Sequence, residues 1–294
     1  MAISSGAGRW PRGNARWAWC LAWTLHSRAR VLHTRGIETI DQLQEQFDRE
    51  SLAELERPWG KKRMRVGEAV SRQILAGVQA LVEGRPIILA EPAIPEHPSY
   101  VMFDLEGLPP RLDELEKIYL WGLQVFGEDP GPFCAATAGF APHGDREGWE
   151  AFLAEAKSIL ERYGDIPFVH WATYERTKLD LYLSRYGDRA GVGERVKRNL
   201  LDLFPITQDA VALPVPSYGL KQAERIAGFK RTLDEYRGDW SIARYIEATE
   251  THSAQLRADI MDEILAYNRE DLEATWAVLR WLQDLSPVTG RNRP

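Results

Sequence analysis

Two acidic residues separated by one position are the first candidates for chemistry in this chain. Asp104 and Glu106 end an apolar run that predicts a strand, and residues i and i+2 of a strand point to the same face. Two carboxylates therefore project together, and their hard oxygen atoms suit a divalent cation such as Mg²⁺ or Mn²⁺. Unpaired buried charge is costly, which argues against a packing role. By itself, an Asp-x-Glu pair is also typical of a solvated strand end.

Two further acids occur later in the chain, each with an ordinary explanation as well. Glu175 follows the apolar segment 166–171 and opens a predicted helix, where an acid also interacts favourably with the helix dipole. Tyr267 and Asp271 are four residues apart in the last predicted helix, so they lie on one face beside its apolar stripe. An acid directed at the core needs a partner, which is either a metal ion or a salt-bridging side chain.

The elements that must position these acids follow an α/β pattern. A proline-rich stretch at 86–98 marks a boundary, after which strand and helix patterns alternate. Strands are predicted at 100–105, 118–126, 133–138, 166–171 and 200–206. Helices are predicted at 149–163, 175–186, 218–226 and 259–284. The first three strands should pair antiparallel, because parallel pairs need a longer crossover. We therefore expect a mixed sheet of three antiparallel strands and then parallel strands, flanked by helices.

The residues before this boundary have a different pattern. Residues 1–14 have the composition of a disordered or fused start, and residues 16–30 that of a helix. A Gly-Ile step between short apolar helices at 31–43, with Thr39 placed as a cap, predicts a helix-turn-helix or helix-hairpin-helix-like unit. A second helix pair is predicted at about 61–82. The front of the chain is therefore expected to be a small all-helical domain.

The charge of the chain is unevenly distributed. Residues 1–95 hold 14 Lys and Arg against 10 Asp and Glu, whereas the rest holds 23 against 33, within a net charge of -6. A basic front on an acidic body indicates a region that meets phosphates, although chance clustering gives the same counts. We expect the basic run at the start of the second helix pair to bind nucleic acid. Its residues are Lys61, Lys62, Arg63 and Arg65.

The composition argues against several other classes of protein. With 44% hydrophobic and 27% charged residues, the chain is globular, and its negative net charge argues against a protein that only coats nucleic acid. Cys20 and Cys134 are too few and too far apart for a zinc knuckle or a disulfide framework, which favours a reducing compartment. No signal-peptide segment or membrane-span run is found. We therefore expect a cytoplasmic protein that does not contact a membrane.

Taken together, the acids occur in the order of a known catalytic family. Asp-x-Glu on the first strand, an acid after the fourth strand and Tyr-x-x-x-Asp on the last helix resemble the DEDD superfamily of 3′–5′ exonucleases. The tyrosine places the resemblance in the DEDDy subclass. Segment 170–179 is similar to the superfamily's His-Asn-Ala-x-Phe-Asp motif. It departs from that motif at Trp171, where Asn is usual, and at Glu175, where Asp is usual.

A closer resemblance is to the YprB-type ribonuclease H-like domain of RecB-family nucleases. The segments that carry it are 200–203, 217–221, 267–275 and 281–282. Residues 31–90 resemble the helical connector before that domain, whereas the upstream PD-(D/E)xK nuclease domain has no counterpart here, so we expect a short or truncated member. The expected organisation is a helical, basic nucleic-acid-binding or connector region at 1–94, an RNase H-like exonuclease domain at 95–285 and a flexible tail at 286–294.

The resemblance implies an RNase H-like fold and hydrolysis of phosphodiester bonds in DNA or RNA. Two Mg²⁺ or Mn²⁺ ions, about 4 Å apart, would activate a water molecule and stabilise the leaving 3′-oxygen. The expected ligands are Asp104, Glu106, Glu175 and Asp271, and Tyr267 would orient the attacking water. Secondary candidates for the site are His170, Asn268 and Asp202, the last either as an outer acid of the site or as a structural residue at a strand end. Candidate phosphate contacts outside the basic run are Arg176 and Lys221.

Two interpretations compete with a catalytic one. A non-catalytic subunit with a degenerate RNase H-like site could bind nucleic acid or a protein, and the glutamate at 175 is its best support. Against it, all four acid positions hold acids and the tyrosine is present. A sensor of polynucleotide ends in a repair or defence complex is the third interpretation. A larger nuclease, repair or defence complex is also an expected partner of the catalytic protein.

Overall fold

The computed structural model describes residues 32, 35–37, 39–59, 61–110, 116–140, 143–233 and 240–285. The expected start at 1–14, helix at 16–30 and tail at 286–294 lie outside these residues. The described part divides into two compact units. The first holds the residues up to Ala93, Pro205–Ile226 and the residues from Leu282 on, and the second holds Ile94–Phe204 and Ala227–Trp281.

Helices and strands alternate through most of the described chain. The helices are α1 (Ile40–Gln46), α2 (Arg49–Ala53), α3 (Glu68–Glu83), α4 (Gly144–Tyr163), α5 (Tyr174–Tyr186), α6 (Val192–Arg198), α7 (Leu203–Ala210), α8 (Leu220–Ile226), α9 (Trp240–Glu250) and α10 (Ala254–Asp284). The strands are β1 (Glu56–Trp59), β2 (Lys62–Arg65), β3 (Ile87–Ile88), β4 (Ser99–Leu108), β5 (Lys117–Gly127), β6 (Phe133–Thr137), β7 (Phe168–His170), β8 (Leu200–Asp202) and β9 (Val211–Ala212).

A small apolar cluster forms the core of the first unit. Helix α1 begins after Thr39, whose hydroxyl accepts the N–H of Gln42 while the Gln42 side chain accepts the N–H of Thr39, so the predicted cap is confirmed. The buried side chains of the cluster are Leu32, Ile37, Ile40, Leu43, Leu52, Leu55, Val66, Ile74 and Val78. Removing these side chains from water is what holds the short helices together, because helices of this length are marginal alone.

The prediction of a helix pair at 61–82 is wrong in its first half. Strands β1 and β2 form an antiparallel hairpin, so the basic run lies on an exposed strand and the front of the chain is not all-helical. Pro58 lacks an N–H and disfavours helix in the residue before it. Gly67 has a φ of +82°, which interrupts helical geometry, and α3 begins only after it.

The predicted mixed sheet is confirmed in the second unit. Its strand order is β6-β5-β4-β7-β8. The first three strands of this sheet pair antiparallel, with β5 between β4 and β6. Strand β7 then pairs parallel with β4, and β8 pairs parallel with β7. The register places Asp104 opposite Gly122, and a register shift between Glu106 and Gly107 interrupts the pairing just after the two acids.

The side chains of β4 alternate between a hydrophobic core and the face that carries the two acids. Phe103 belongs to an aromatic core and lies in stacked contact with Phe152 of α4, 5.5 Å between ring centres. Helices α4, α5 and α6 all contribute buried side chains to this core. Asp104, the next residue along the strand, points to the other face and reaches Asn268 of α10. The alternation predicted for this strand is thus present, and it directs the acids toward the last helix.

Several element boundaries differ from the sequence prediction. The strand predicted at 200–206 ends at Asp202, whose side chain accepts the N–H of Phe204 and so caps helix α7. The last helix begins at Ala254, earlier than predicted, where the Ser253 hydroxyl accepts the N–H of Leu256. Helices α2, α6, α7 and α9 were not predicted. In the described ranges we find no helix with the length and apolar character needed to cross a membrane.

Candidate metal centre

Three carboxylates meet where strand β4 faces helix α10. Asp104 and Glu106 project from the same side of β4, and Asp271 projects from α10. One carboxylate oxygen from each residue lies within 4.8 Å of the other two. Asp271 is buried and the two strand acids are half-buried. The structure therefore brings together three of the four predicted metal ligands, which come from segments more than 160 residues apart in sequence.

A hydrogen bond from Asn268 on helix α10 holds Asp104 in place. Its Nδ2 donates to Asp104 Oδ2 at 2.7 Å, and the residue is fully buried. Its Oδ1 has no hydrogen-bond partner among the described residues. Gly122 makes the room, because a Cβ at that position would lie 1.8 Å from Asn268 Oδ1. Asn268 was only a secondary candidate from sequence, and the glycine opposite Asp104 was not predicted at all.

Hydroxyl groups hold the second acid. The Ser241 hydroxyl, at the start of α9, donates to Glu106 Oε2 at 2.7 Å, and Tyr119 donates to the same oxygen at 3.4 Å. Ser241 is almost fully buried. Ser241 was not predicted from sequence because its helix, α9, carried no recognised motif, and Tyr119 was predicted only as part of the strand that became β5. The signal that could have located them is general: a part-buried carboxylate needs donors.

The third acid has a cationic partner. Arg231 Nη2 lies 2.5 Å from Asp271 Oδ1, and both side chains are nearly buried, 8% and 11% exposed. Asp271 is therefore salt-bridged, as one of the two explanations predicted, and it also belongs to the acidic cluster. Arg231 lies in a loop 40 residues earlier in sequence. No periodicity connects it to Asp271, so only the expectation that a buried acid has a partner pointed to it.

Glu175, the fourth predicted ligand, is not a member of the three-acid group. It is buried at the start of α5, and its Oε2 is 3.2 Å from Nδ1 of the equally buried His170. Burial raises the pKa of Glu175 above its ordinary value, and the contact with His170 opposes that rise. The negative charge of Glu175 also contributes to raising the pKa of Asp104, so the two carboxylates lie close enough to interact.

Asp202 has a structural role in the described chain. Its Oδ1 accepts the N–H groups of Ala172 and Phe204, both at 2.9 Å. Ala172 has a φ of +70°, a conformation that is unfavourable for alanine and here supported by that hydrogen bond. Asp202 thereby shapes the turn between His170 and the helix that carries Glu175. The interpretation of Asp202 as a structural residue at a strand end is therefore confirmed, and its place as an outer acid of the site stays a prediction.

The electrostatics of the group favour a bound cation. Burial raises the pKa of Asp104 well above its ordinary value, and the charges of Asp271, Glu106 and Glu175 raise it further. A divalent ion would offset this repulsion, and carboxylate oxygens are the ligands that Mg²⁺ and Mn²⁺ prefer. The unpartnered Oδ1 of Asn268 belongs to the amide whose Nδ2 donates to Asp104. The donor set therefore fits a hard divalent metal.

Tyr267 lies one helical turn before Asp271 and faces the same cluster. It is 7% exposed, and its ring packs against that of Trp240, with 5.5 Å between centres. Burial, followed by the charges of Asp271 and Glu106, raises the pKa of Tyr267 well above that of free tyrosine. The phenol therefore stays protonated, and its hydroxyl can donate a hydrogen bond next to the acids.

The predicted phosphate contacts lie in different places. Arg176 is exposed on α5, next in sequence to Glu175, whereas Lys221 is partly buried on α8 in the first unit. Two members of the basic run on β2 are paired with acids, Arg63 with Glu56 at 3.1 Å and Arg65 with Glu54 at 2.8 Å. These pairs are exposed, so they are weak and compete poorly with a polyanion.

The comparison with known families gives the same fold. The RNase_H_2 family model, described as RNase_H superfamily, matches residues 101–283. No curated protein and no solved structure matches the chain. The matched range begins in β4 and ends in α10, so it includes the five-stranded mixed sheet and all three clustered acids. The chain therefore belongs to the RNase H superfamily.

Proposed function

We propose that the protein is a divalent-metal-dependent nuclease that hydrolyses phosphodiester bonds of DNA or RNA as a 3′–5′ exonuclease. The observation that carries the proposal is the group of Asp104, Glu106 and Asp271, whose oxygens lie within 4.8 Å of one another inside an RNase H-superfamily domain. Tyr267 beside this group supports the exonuclease class, because that class is the one the motif order resembles.

Each residue of the site would have a distinct role in metal binding or in positioning the water. Asp104, Glu106 and Asp271 would hold Mg²⁺ or Mn²⁺, with Glu175 completing a site for two ions. When bound, the ions supply positive charge that stabilises the phosphate in the transition state. Asn268 and Ser241 keep Asp104 and Glu106 in place through hydrogen bonds of 2.7 Å each. The protonated hydroxyl of Tyr267 would orient the attacking water.

The first experiment asks whether the protein cuts and in which direction. Single- and double-stranded DNA and RNA, labelled at the 5′ end, are incubated with Mg²⁺, Mn²⁺ or EDTA. We expect a ladder of shortening products with metal and none with EDTA, and a phosphorothioate block at the 3′ end should prevent the ladder. Internal cuts of a 3′-blocked substrate would instead indicate an endonuclease. Absence of cleavage on all four substrates would contradict the nuclease proposal.

The metal preference depends on Glu175. Glutamate is one methylene longer than the aspartate of the family motif, and Mg²⁺ demands a nearly ideal octahedral geometry. We expect faster hydrolysis with Mn²⁺ than with Mg²⁺, and we expect Glu175→Asp to reduce that ratio. The measurement is the initial rate in each metal at saturating concentration. Equal ratios for the two proteins would mean that residue 175 does not set the metal preference.

We propose that the basic hairpin binds nucleic acid. Replacing Lys61, Lys62, Arg63 and Arg65 with Gln should weaken binding to an oligonucleotide and flatten its salt dependence, because each phosphate contact releases counterions. Up to four contacts would be lost, so the magnitude of the slope of log K against log salt should fall by up to about 3.6 for duplex DNA. Glu54→Gln and Glu56→Gln, which remove the acids of the two ion pairs, should leave the slope unchanged or steeper. If the variant with four basic residues replaced by Gln has an unchanged slope, the basic run is an ordinary solvated strand that does not bind nucleic acid.

A non-catalytic binding subunit is the second candidate. Its support is that two of the four acids already have partners in the structure, Glu175 with His170 and Asp271 with Arg231. This candidate predicts nucleic-acid binding that is the same in EDTA and in Mn²⁺, with no hydrolysis and no binding of Mn²⁺ in a calorimetric titration. The catalytic proposal predicts the opposite result for each measurement.

A further inference from the structure

A guanidinium group contacts the acidic cluster at Asp271. Arg231 Nη2 is 2.5 Å from Asp271 Oδ1, and the arginine side chain is only 8% exposed. Its Cζ is 5.8 Å from the centre of the Tyr267 ring. A buried cation thus already contacts one of the three carboxylates that are arranged to bind a divalent ion.

The position of Arg231 is fixed by the residues that follow it. Glu270, the neighbour of Asp271 on α10, is buried, and its Oε1 accepts the N–H of Thr232 at 2.5 Å and the Thr232 hydroxyl at 2.9 Å. The N–H of Leu233 reaches the same oxygen at 3.3 Å. Several hydrogen bonds to one buried carboxylate hold this segment against the helix. The Arg231 contact therefore belongs to the packed interior and is not a mobile surface ion pair.

We propose that Arg231 competes with the divalent metal ion for Asp271, and so stabilises the metal-free site while weakening metal binding. The proposal rests on the proposed function only in that the three acids bind a divalent ion. A carboxylate oxygen that accepts a charged hydrogen bond is a poorer ligand, and a fixed positive charge at a nearly buried position repels a dication strongly because solvent screens it little.

A purely structural role makes the opposite prediction. If Arg231 only orients Asp271 for the metal, its removal should disorder a ligand and weaken metal binding, as loss of an outer-shell partner usually does. If Arg231 competes with the metal, its removal should strengthen metal binding. The sign of the change in metal affinity therefore separates the two roles without any measurement of hydrolysis.

The experiment is a calorimetric Mn²⁺ titration of the full chain after removal of metals with EDTA. We expect Arg231→Gln to bind Mn²⁺ at least about tenfold more tightly than wild type, because a unit charge a few ångströms from the ion is removed. The same variant should melt at a lower temperature in EDTA, since the three acids lose their counter-ion. Arg231→Lys, which keeps the charge but loses the forked geometry, should lie between wild type and Arg231→Gln.

Two control proteins make the result specific. Arg244→Gln removes an arginine that pairs with Glu247 and Glu263 instead, and it should leave Mn²⁺ affinity unchanged. In an Asp271→Asn background, Arg231→Gln should increase the affinity by a clearly smaller factor, because the carboxylate for which the two cations compete is absent and only the repulsion by the Arg231 charge is removed. A gain of the same size in that background would contradict competition at Asp271.

The remaining outcomes are also decisive. Equal or weaker Mn²⁺ binding by Arg231→Gln overturns the proposal and leaves Arg231 a support for Asp271, while the metal site itself stands. If Arg231→Gln does not fold, Arg231→Lys decides, and it must bind Mn²⁺ more tightly than wild type. If wild type and every variant bind no Mn²⁺, both this proposal and the metal-dependent function fail.

Discussion

Asp104→Asn should abolish hydrolysis and leave the metal-free protein at least as stable as the wild type. Asp104 is the acid whose pKa is raised by burial and by the charges of Asp271, Glu106 and Glu175, so its negative charge is unfavourable until a cation is bound. Asparagine keeps the shape and can still accept the hydrogen bond that Asn268 donates to Asp104. The substitution therefore removes a metal ligand with little disturbance of packing.

The expected effects of this substitution differ in sign between metal-free and metal-bound protein. Without a metal, loss of one of several neighbouring negative charges should raise the free energy of unfolding by about 1 kcal/mol, or roughly 2–4 °C in melting temperature. With Mn²⁺, the stabilisation that binding gives to the wild type should be lost. Activity should fall by at least about a thousandfold, because several kcal/mol of electrostatic stabilisation depend on the ion.

The measurements are initial hydrolysis rates and thermal melts in EDTA and in Mn²⁺. Asp129→Asn is the matched control in the same unit, since Asp129 forms an exposed ion pair with Arg162 at 2.8 Å and such pairs contribute little. It should change neither the rate nor the response to Mn²⁺. Wild-type activity in a purified Asp104→Asn preparation would remove Asp104 from the site, and a clear loss of stability in EDTA would show that its charge is compensated in the fold.

The acids of the site could be predicted because each depends on a local pattern. Strand alternation places Asp104 and Glu106 on one face of β4, and helical spacing places Tyr267 and Asp271 on one face of α10. Each pattern involves only a few neighbouring residues. The order of strands and helices then determines that these two faces meet. The fold class followed from the same kind of evidence, and the five-stranded sheet confirms it.

The partners of those acids could not be predicted, because their positions depend on tertiary structure. Arg231 and Ser241 come from a loop and from the start of a helix, and nothing within a few residues of either indicates which acid it contacts. Gly122 has meaning only when Asn268 is known to lie opposite it. Glu175 was placed correctly at a helix start, but its pairing with His170 across a turn of positive φ at Ala172 could not be read from spacing.

The short elements of the first unit show a second limit. The basic run was predicted to open a helix pair, but helix propensity is a weak guide over four residues. The β1-β2 hairpin forms instead of a helix because Pro58 and Gly67 prevent a continuous helix on either side of the basic run. Pro58 and Gly67 were therefore the signals in the sequence that could have located the boundary between the hairpin and helix α3.

Tyr267→Phe should lower the rate of hydrolysis by about a hundredfold while leaving Mn²⁺ affinity unchanged. The substitution removes one hydroxyl and keeps the ring that packs against Trp240. The side chain is nearly buried beside Asp271, so phenylalanine fits the same space. A single positioned donor near the reacting phosphate is worth about two to three orders of magnitude in rate, whereas a phenol is not one of the clustered carboxylate ligands.

The pH dependence of this substitution tests the protonation state of the tyrosine. Because burial and neighbouring acids raise the pKa of Tyr267 well above that of free tyrosine, its hydroxyl should stay protonated across roughly pH 7 to 9. The ratio of wild-type to Tyr267→Phe rates should therefore be constant over that range.

Tyr245→Phe is the matched control, since Tyr245 is also buried and its hydroxyl has no hydrogen-bond partner in the described part of the chain. It should leave the rate unchanged. A wild-type to Tyr267→Phe ratio that rises steeply with pH would instead identify the ionised tyrosine as the active form, and equal rates would remove Tyr267 from the reaction.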